Sequence, residues 1–262
     1  MLGPMRVTFL GTGTSTGVPV PTCGCDVCRS DDPRDRRLRP SVRLEWPGAS
    51  VLIDTSTDLR AQSLRHAIDR IDAVLYTHHH ADHVLGLDDL RVYGWRQGRP
   101  VPVYGSARTI EALRRTFWYV FEEAEPDGTT RPAIDPTPIA GPFALFERDV
   151  LPVPVRHGRL EILGYRIGSF AYLTDASEIP EASHALLGDL DVLVLNALRD
   201  RPHPTHLDLR TALASARRVG ARRTFFTHIS HELQHAAISA RLPPGVELAH
   251  DGLAFDIGRA GE

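Results

Sequence analysis

A chain of 262 residues is long enough to bury a full core, and 42% hydrophobic with 24% charged residues is an ordinary balance for a globular enzyme. The formal net charge of −3 gives no general reason to bind nucleic acid or an acidic membrane surface. All 30 basic residues are arginine, and the absence of lysine excludes a Walker A motif and any Schiff-base mechanism.

The segment before residue 77 is predicted to be mostly strand. Hydrophobic alternation and turn residues predict strands over residues 7–10, 42–46, 51–53 and 73–76 and a helix over residues 59–68. The glycine-rich turn over residues 11–17 matches neither a dinucleotide-binding loop nor a P-loop. A nucleotide-binding unit is therefore not expected at this end of the chain.

The three cysteines of the chain, Cys23, Cys25 and Cys28, lie within six residues. Their odd number and tight clustering argue against a disulfide framework. Three thiolates at this spacing favour a structural zinc site, which needs a fourth ligand from elsewhere; His231 is the best candidate and His235 the alternative. Free buried thiols are the other interpretation, because cysteine is common as a small core residue.

Four residues of metal-ligating types follow the strand predicted over residues 73–76 almost directly: His78, His80, Asp82 and His83. Imidazole and carboxylate groups suit Zn²⁺, Mn²⁺ or Fe²⁺. So dense a cluster is costly to pack unless a metal holds it. The pattern therefore predicts a metal centre.

The middle of the chain is predicted to contain two helices followed by an irregular, proline-rich segment. Helices are expected over residues 87–97 and 108–121, and five prolines between residues 125 and 142 predict an irregular excursion. That excursion would cover the cleft or form a contact in a homodimer. Arg91 could hold a phosphate, although a salt bridge on the helix surface is the simpler use.

The second half again alternates strands with helices. Strands are predicted over residues 150–155, 160–167, 171–173, 192–195, 224–227, 247–249 and 254–257, and helices over 180–187, 207–219 and 234–242. Three further candidate ligands, His157, Asp175 and His228, each follow a predicted strand. Loops at one rim of a sheet can bring such residues together.

Two β-rich halves of this kind, with no linker of disordered composition, predict an α/β protein with two sheets covered by helices on their outer faces. The expected architecture is a four-layer αββα sandwich in a single domain over residues 1–262.

The sequence resembles the metallo-β-lactamase superfamily, whose HxHxDH motif is matched by His78, His80, Asp82 and His83. The resemblance covers essentially the whole chain and implies two active-site cations. It implies that His78, His80 and His157 hold one cation, that Asp82, His83 and His228 hold the other, and that Asp175 bridges them. It implies that Asp54, after the strand over residues 51–53, orients a ligand imidazole. His79 fills the variable position of the motif and is not an expected ligand.

The resemblance narrows to the PhnP-type cyclic phosphodiesterases within this superfamily, because they carry a CxCxxC insertion with a partnering histidine. It implies a structural zinc on Cys23, Cys25, Cys28 and His231. In that group a histidine at the position of His206 contacts the substrate phosphate, so His206 could donate a hydrogen bond to a phosphoryl oxygen or a proton to the leaving alkoxide. His203 is either a second contact or part of a turn shaped by Pro202 and Pro204.

The expected function is hydrolysis of small cyclic phosphodiesters, such as phosphoribosyl 1,2-cyclic phosphate, by an activated hydroxide; Asp82 and His206 are the candidate catalytic residues. The active-site cations are expected to be Zn²⁺ or Mn²⁺, with Fe²⁺ as a further option. Three alternatives share the fold: a tRNA-processing nuclease, an iron-dependent oxidoreductase and a protein like the quinone-cofactor biosynthesis protein PqqB.

The expected partner is a small phosphodiester substrate; a homodimer is left open, and nucleic acid is not expected. The basic cluster Arg34, Arg36, Arg37 and Arg39 could form a solvated loop or steer anions, but it is too short to favour an RNA surface. The sequence has no apolar run long enough to cross a bilayer and no apparent signal peptide, so a cytoplasmic location and no membrane contact are expected.

Overall fold

The computed structural model describes residues 3–122 and 130–258, and two seven-stranded sheets organise them. The first sheet is built from β1 (Met5–Gly11), β2 (Ser41–Trp46), β3 (Ala49–Ile53), β4 (Ala73–Leu75), β5 (Val101–Gly105), β6 (Ile134–Pro138) and β14 (Ala254–Ile257). Its strand order is β14-β1-β2-β3-β4-β5-β6, and β3 to β6 run parallel.

The second sheet repeats this arrangement with the later strands. It is built from β7 (Phe143–Leu145), β8 (Arg148–His157), β9 (Leu160–Ile167), β10 (Phe170–Leu173), β11 (Val192–Asn196), β12 (Arg223–Thr227) and β13 (Val246–Leu248). Its order is β13-β12-β11-β10-β9-β8-β7, with β10 to β13 parallel. Parallel strands need crossover connections, and helices supply several of them.

The helices are α1 (Leu59–Arg65), α2 (Ala81–Val84), α3 (Arg91–Gln97), α4 (Ala107–Thr116), α5 (Trp118–Phe121), α6 (Glu181–His184), α7 (Leu209–Val219) and α8 (His235–Ser239). Three hydrophobic clusters separate four layers. The central cluster joins the facing sides of the two sheets, with Phe9 against Phe225. One outer cluster packs α1, α3 and α4 on the first sheet, and another packs α7 and α8 on the second. This confirms the predicted αββα sandwich.

The proline-rich excursion is only partly irregular, which corrects the prediction for residues 125–142. Residues 134–138 form β6, although Pro136 and Pro138 lie within it. The strand is tolerated because β6 is at the edge of its sheet and pairs with β5 alone, so a missing N–H on the open side breaks no ladder bond. The part of the excursion at residues 125–129 lies outside the described residues.

Each of the two predicted helices in the middle of the chain is divided into two helical pieces. Residues 85–90 are a 3-10 helix that continues into α3. The helix expected over residues 108–121 is interrupted at Phe117, whose φ of −111° and ψ of 43° are not helical and whose ring is buried. Burial of this aromatic ring in the outer cluster outweighs the helical periodicity.

The arginine cluster at residues 34–39 is solvated only in part: Arg34 and Arg36 are exposed, whereas Arg37 and Arg39 make internal contacts. Arg37 is only 2% exposed and donates hydrogen bonds to Thr12 and to the Ala249 carbonyl. Arg39 pairs with Asp58. Arg91 forms the simpler contact that the sequence suggested, a salt bridge to Asp88 at 2.6 Å.

Among the residues that the structure describes, no helix is both long and apolar enough to span a membrane.

Candidate metal centre

The candidate ligands meet where strands of both sheets end. Asp54 follows β3, and His78 comes shortly after the parallel neighbour β4. His157 ends β8, while Asp175 and His228 follow the parallel strands β10 and β12. Because parallel strands present their carboxyl ends at one edge, each sheet places its polar groups at the same rim.

Three residues of the centre have backbone conformations that side chains rarely adopt. Asp54, Asp175 and His228 have φ values of 63°, 57° and 56°. The left-handed region is uncommon outside glycine and costs free energy for each residue held there. Such a residue turns the chain sharply at the strand end.

The ligand atoms form two adjacent groups. His78, His80 and His157 offer atoms that all lie within 4.8 Å of one another, and the same holds for the set Asp82, His83, Asp175 and His228. Asp175 lies between the groups: its Oδ2 is 3.2 Å from His228 Nε2 and 3.9 Å from His78 Nε2. The geometry therefore matches two neighbouring cation positions with a carboxylate between them.

The imidazole nitrogens also fit a metal. Within the described part of the chain, the buried Nε2 atoms of His78, His83 and His228 have no hydrogen-bond partner. Two ligand rings are held at the opposite nitrogen: His83 Nδ1 is 2.7 Å from Asp54, and His157 Nδ1 donates to the Thr205 carbonyl at 2.7 Å. His228 Nδ1 is buried without a hydrogen-bond partner among the described residues. Bonding at Nδ1 leaves Nε2 as the free electron pair, as metal ligation requires.

The electrostatics of the second group favour a cation. Burial opposes ionisation of Asp82 and Asp175, but the neighbouring histidines hold the pKa of both carboxyl groups below the ordinary range. Burial likewise opposes a charge on His83, yet Asp82 and Asp175 raise its pKa well above the ordinary value. Two ionised carboxylates thus draw positive charge into this space.

Asp54 supports the centre from behind. Its carboxylate is fully buried and accepts hydrogen bonds from the Thr77 backbone N–H and hydroxyl, both at 2.8 Å. Its third partner is His83 Nδ1 at 2.7 Å. The aspartate thereby fixes both the start of the histidine-rich loop and the orientation of one imidazole.

His206 lies at the edge of both ligand groups. Its Nε2 is 3.1 Å from Asp175 Oδ2, and its ring stacks on that of His228 with centroids 5.0 Å apart. One ligand atom each of His206, His157 and Asp175 also lies within 4.8 Å of the other two. Burial lowers the pKa of His206 to about 4. The side chain is only partly buried, so a substrate can reach it.

The cysteines form a separate cluster. The Sγ atoms of Cys23, Cys25 and Cys28 lie 3.2, 3.4 and 3.5 Å from His231 Nδ1. His235 is not part of this set, because its Nδ1 is 3.0 Å from Arg37 Nη2. Three sulfurs and one imidazole nitrogen are the donor set of a closed tetrahedral zinc site, so a zinc ion could bind there.

The thiol chemistry agrees with that donor set. The backbone N–H of Cys28 lowers the pKa of Cys25 to about 6, whereas burial raises the pKa of Cys28 to about 11. The protein alone therefore does not favour the thiolate form at Cys28. A bound cation would do so.

One supporting residue was not predicted from the sequence. Asn196 is fully buried at the end of β11; its Oδ1 accepts from the Ala176 N–H at 2.7 Å, and its Nδ2 donates to the Ala176 carbonyl at 3.0 Å. These bonds hold the residue after the strained Asp175. The signal was present, since a polar residue after four apolar strand residues is the pattern that marked the candidate ligands.

Comparison with known proteins agrees with this geometry. Residues 49–229 match the model of the beta-lactamase superfamily domain. A crystal structure described as a new diphosphatase from the PhnP family is 47% identical, covers 98% of both chains and superposes with a TM-score of 0.92. The chain is a PhnP-like member of the beta-lactamase superfamily. It is accordingly a metal-dependent hydrolase, and the predicted family is confirmed.

Other relatives of this PhnP-like hydrolase carry different names. An octanoyltransferase from Porphyromonas gingivalis is 39% identical over 260 residues; the match covers 98% of this chain but only 52% of that protein. The chain thus spans about half the length of that relative. Zn²⁺-bound PqqB from Methylobacterium extorquens is 22% identical, with 96% and 100% of the two chains covered and a TM-score of 0.75, which shows the shared fold. The superfamily fold implies divalent metals.

Proposed function

We propose that this hydrolase cleaves small phosphodiesters, including cyclic ones such as phosphoribosyl 1,2-cyclic phosphate, with two divalent cations. His78, His80 and His157 would hold one cation and Asp82, His83 and His228 the other, with Asp175 between them. Zn²⁺ and Mn²⁺ suit these donors, as does Fe²⁺. The cysteine site would hold one structural Zn²⁺. The observation that carries the proposal is the position of His206 Nε2, 3.1 Å from the Asp175 carboxylate.

The chemistry divides between cations and protein. Two bound cations would lower the pKa of a water molecule and neutralise a phosphoryl group. The protein keeps Asp82 and Asp175 ionised, aims the free Nε2 atoms inward through Asp54 and the Thr205 carbonyl, and presents His206 to the leaving oxygen. Proton transfer by a positioned imidazole contributes about 10²–10⁴-fold to such reactions.

A second candidate is hydrolysis of a diphosphate linkage. The observation that favours it is the 47% identical structure described as a diphosphatase. In both reactions the phosphorus atom is bonded to two groups through oxygen, and one of those oxygens must leave. The same ligands and the same histidine would serve either substrate.

The test is a substrate panel with the metal-loaded protein. We expect bis-p-nitrophenyl phosphate and cyclic phosphodiesters to be cleaved, phosphomonoesters to be left intact, and His206→Ala to lower kcat by about 10²-fold while retaining its metals by elemental analysis. A diphosphate diester in the same panel decides between the two candidates. Cleavage of the diphosphate alone would replace the first candidate by the second.

Other outcomes would overturn the proposal. Loss of one cation in His206→Ala would make His206 a ligand rather than a proton donor. Cleavage of structured tRNA precursors in preference to small diesters would favour a nuclease, and two irons with oxygen consumption would favour an oxidoreductase. Retention of metals with no hydrolysis of any substrate in the panel would favour a PqqB-like role.

A further inference from the structure

His228 differs from two other candidate ligands in the way its ring is held. His83 and His157 are each fixed by a hydrogen bond at Nδ1, to Asp54 and to the Thr205 carbonyl, both at 2.7 Å. The Nδ1 of His228 is also buried, but it has no hydrogen-bond partner among the residues that the structure describes. The position of this ring must therefore be set by other contacts.

The neighbouring rings restrict His228 only in part. Its ring stacks on that of His83, with centroids 5.8 Å apart, and on that of His206, with centroids 5.0 Å apart. Stacked rings resist tilting, but each can still slide within its own plane. The position of Nε2 in that plane therefore depends on the backbone of His228, which is in the left-handed region with a φ of 56°.

The backbone next to His228 is held by the loop that follows β1. The buried residue Ile229 donates its N–H to the Thr12 carbonyl at 2.9 Å and accepts from the Thr14 N–H at 3.1 Å. Gly13 and Ile229 thus form a short parallel bridge. Because this bridge begins directly after His228, the location of the ligand depends on the location of Thr12.

One carboxylate holds Thr12 in place. Asp251 Oδ1 accepts from the Thr12 N–H at 2.9 Å and from its hydroxyl at 2.8 Å, while Oδ2 accepts from the Leu38 N–H at 2.7 Å. The Thr12 hydroxyl also accepts from Arg37 at 2.8 Å, and the same Arg37 nitrogen donates to the Ala249 carbonyl at 2.6 Å. The Asp251 side chain is only 3% exposed, so water does not readily replace a lost partner.

We propose that Asp251 is a positioning residue for the metal centre: through Thr12 and Ile229 it fixes the backbone of His228, and so the approach of His228 Nε2 to a cation. This inference rests on the two-cation site of the proposed function. Asp251 acts through hydrogen bonds that lead to His228. Its effect should therefore be confined to the second ligand group and should spare the first group, which consists of His78, His80 and His157.

Asp251→Asn tests the carboxylate with little change in size. Asparagine has one side-chain oxygen and one NH₂ group, so the NH₂ group must face either the Leu38 N–H or the donors of Thr12. We expect this conflict to shift the loop and to lower the affinity for one active-site cation. Mn²⁺ is the probe, because thiolates prefer Zn²⁺ and the cysteine cluster should not compete for it. The free Mn²⁺ is measured by electron paramagnetic resonance.

Two further substitutions assign the effect to one cation. His80→Ala removes a ligand of the first group only, and His228→Ala removes a ligand of the second group only. We expect Asp251→Asn to weaken Mn²⁺ binding about tenfold in the His80→Ala protein, the lower end of the usual effect of a supporting partner. In the His228→Ala protein the change should be less than about twofold, because the residue through which Asp251 acts is missing.

A conservative pair at Thr12 checks the path from Asp251 to His228. Thr12→Val removes the hydroxyl and keeps the shape of the side chain, whereas Thr12→Ser keeps the hydroxyl. In the His80→Ala protein, Thr12→Val should weaken Mn²⁺ binding as Asp251→Asn does, and Thr12→Ser should retain most of the affinity.

Asp72→Asn is the matched control for stability. Asp72 is also a buried carboxylate; it accepts from the Ser50 N–H at 2.8 Å and from Arg99 at 2.7 Å. It lies just before β4, whereas the metal-binding loop follows the other end of that strand. We expect Asp72→Asn to lower the thermal midpoint as Asp251→Asn does and to leave Mn²⁺ binding unchanged in both proteins.

Three results would overturn the inference: unchanged Mn²⁺ affinity in Asp251→Asn, equal weakening in the His80→Ala and His228→Ala proteins, or the same loss in Asp72→Asn. The last two would show that Asp251 only stabilises the fold. Mn²⁺ binding is measured without a substrate, so it is independent of the reaction. The expected affinities combined with no cleavage of phosphodiesters or diphosphates would overturn the proposed function alone.

Discussion

Single side chains that form hydrogen bonds to the candidate ligands determine where the ligand atoms point. The carboxylate of Asp54 has three donors and no exposure to solvent, so its hydrogen-bonding capacity is committed to Thr77 and His83. A ligand imidazole that lacked this partner could rotate or change its tautomer. Supporting partners of this kind commonly matter to metal affinity almost as much as the ligands themselves.

Asp54→Asn tests this support at the residue scale. Asparagine has nearly the same shape and tolerates the left-handed backbone at this position, but its NH₂ group must face a donor. We expect active-site metal affinity to fall about 10–100-fold, measured by competition with a chromophoric chelator. Asp69→Asn, an exposed position near the end of α1, is the control and should leave the affinity unchanged. Unchanged affinity in Asp54→Asn would contradict the role assigned to this carboxylate.

Residue types and spacing were enough to predict the candidate ligands, because clustered imidazoles and carboxylates after apolar strands have few other uses. The same reasoning could not predict the partners of those ligands. Thr205 acts through its backbone carbonyl, which any residue could supply, so its identity carries no signal. The distance between His203 and His206 likewise depends on a turn that the sequence indicates only through Pro202 and Pro204.

Strand ends are the elements that build the centre. β10, β11 and β12 are parallel neighbours, and they end in register, with Asn196 opposite Thr227. Asp175 and His228 follow two of these strands, and Asn196 ends the strand between them. The middle strand therefore holds the turn that presents Asp175, while its neighbours supply ligands.

Asn196→Ala tests the element scale. The substitution leaves the buried N–H of Ala176 without its partner, while the Ala176 carbonyl keeps its bond from the Leu207 N–H, and this should lower the free energy of unfolding by about 1–3 kcal/mol. It should also weaken metal binding, because Asp175 loses its fixed turn. Chemical denaturation and metal titration measure the two effects. Thr227→Val is the matched control: within the described chain its buried hydroxyl has no hydrogen-bond partner, so removing it should change stability little. A loss as large as that of Asn196→Ala would contradict this account.

Strands with strong apolar runs were predictable, and those without them were not. β5 (Val101–Gly105) and β7 (Phe143–Leu145) are short and contain proline or few β-branched residues, so no periodicity identified them. β6 is a strand only because β5 offers it an edge to pair with. Such strands depend on tertiary neighbours, which a local pattern does not contain.

At the scale of the whole molecule, the two metal-binding clusters are joined by one short segment. His228 belongs to the active centre and His231 to the cysteine cluster. Between them, Ile229 forms backbone hydrogen bonds with Thr12 and Thr14 of the N-terminal loop. The cysteine cluster therefore holds the N-terminal loop against the segment that carries an active-site ligand.

Cys25→Ser tests that connection. We expect the bound zinc to fall by about one ion per chain and the thermal midpoint to fall by several degrees, since a structural zinc contributes directly to folding. We expect activity to decrease because the active site binds its cations more weakly, while the active-site ligands themselves stay in place. Asp26→Asn, an exposed change in the same loop, is the control. Full zinc content in Cys25→Ser, measured by elemental analysis, would show that the cysteines are free thiols.

The seven candidate ligands follow strands of both sheets: four lie in the loop after β4 and the short helix α2 that continues it, and three at the ends of β8, β10 and β12. Local unfolding of either sheet would separate the ligands and release the cations. Bound metal would therefore couple the unfolding of one sheet to that of the other. By mass action, each tenfold rise in free metal above its dissociation constant would add about 1.4 kcal/mol to the cost of such opening. The supply of divalent cations would then govern how long the polypeptide resists proteases, as well as how fast it turns over substrate.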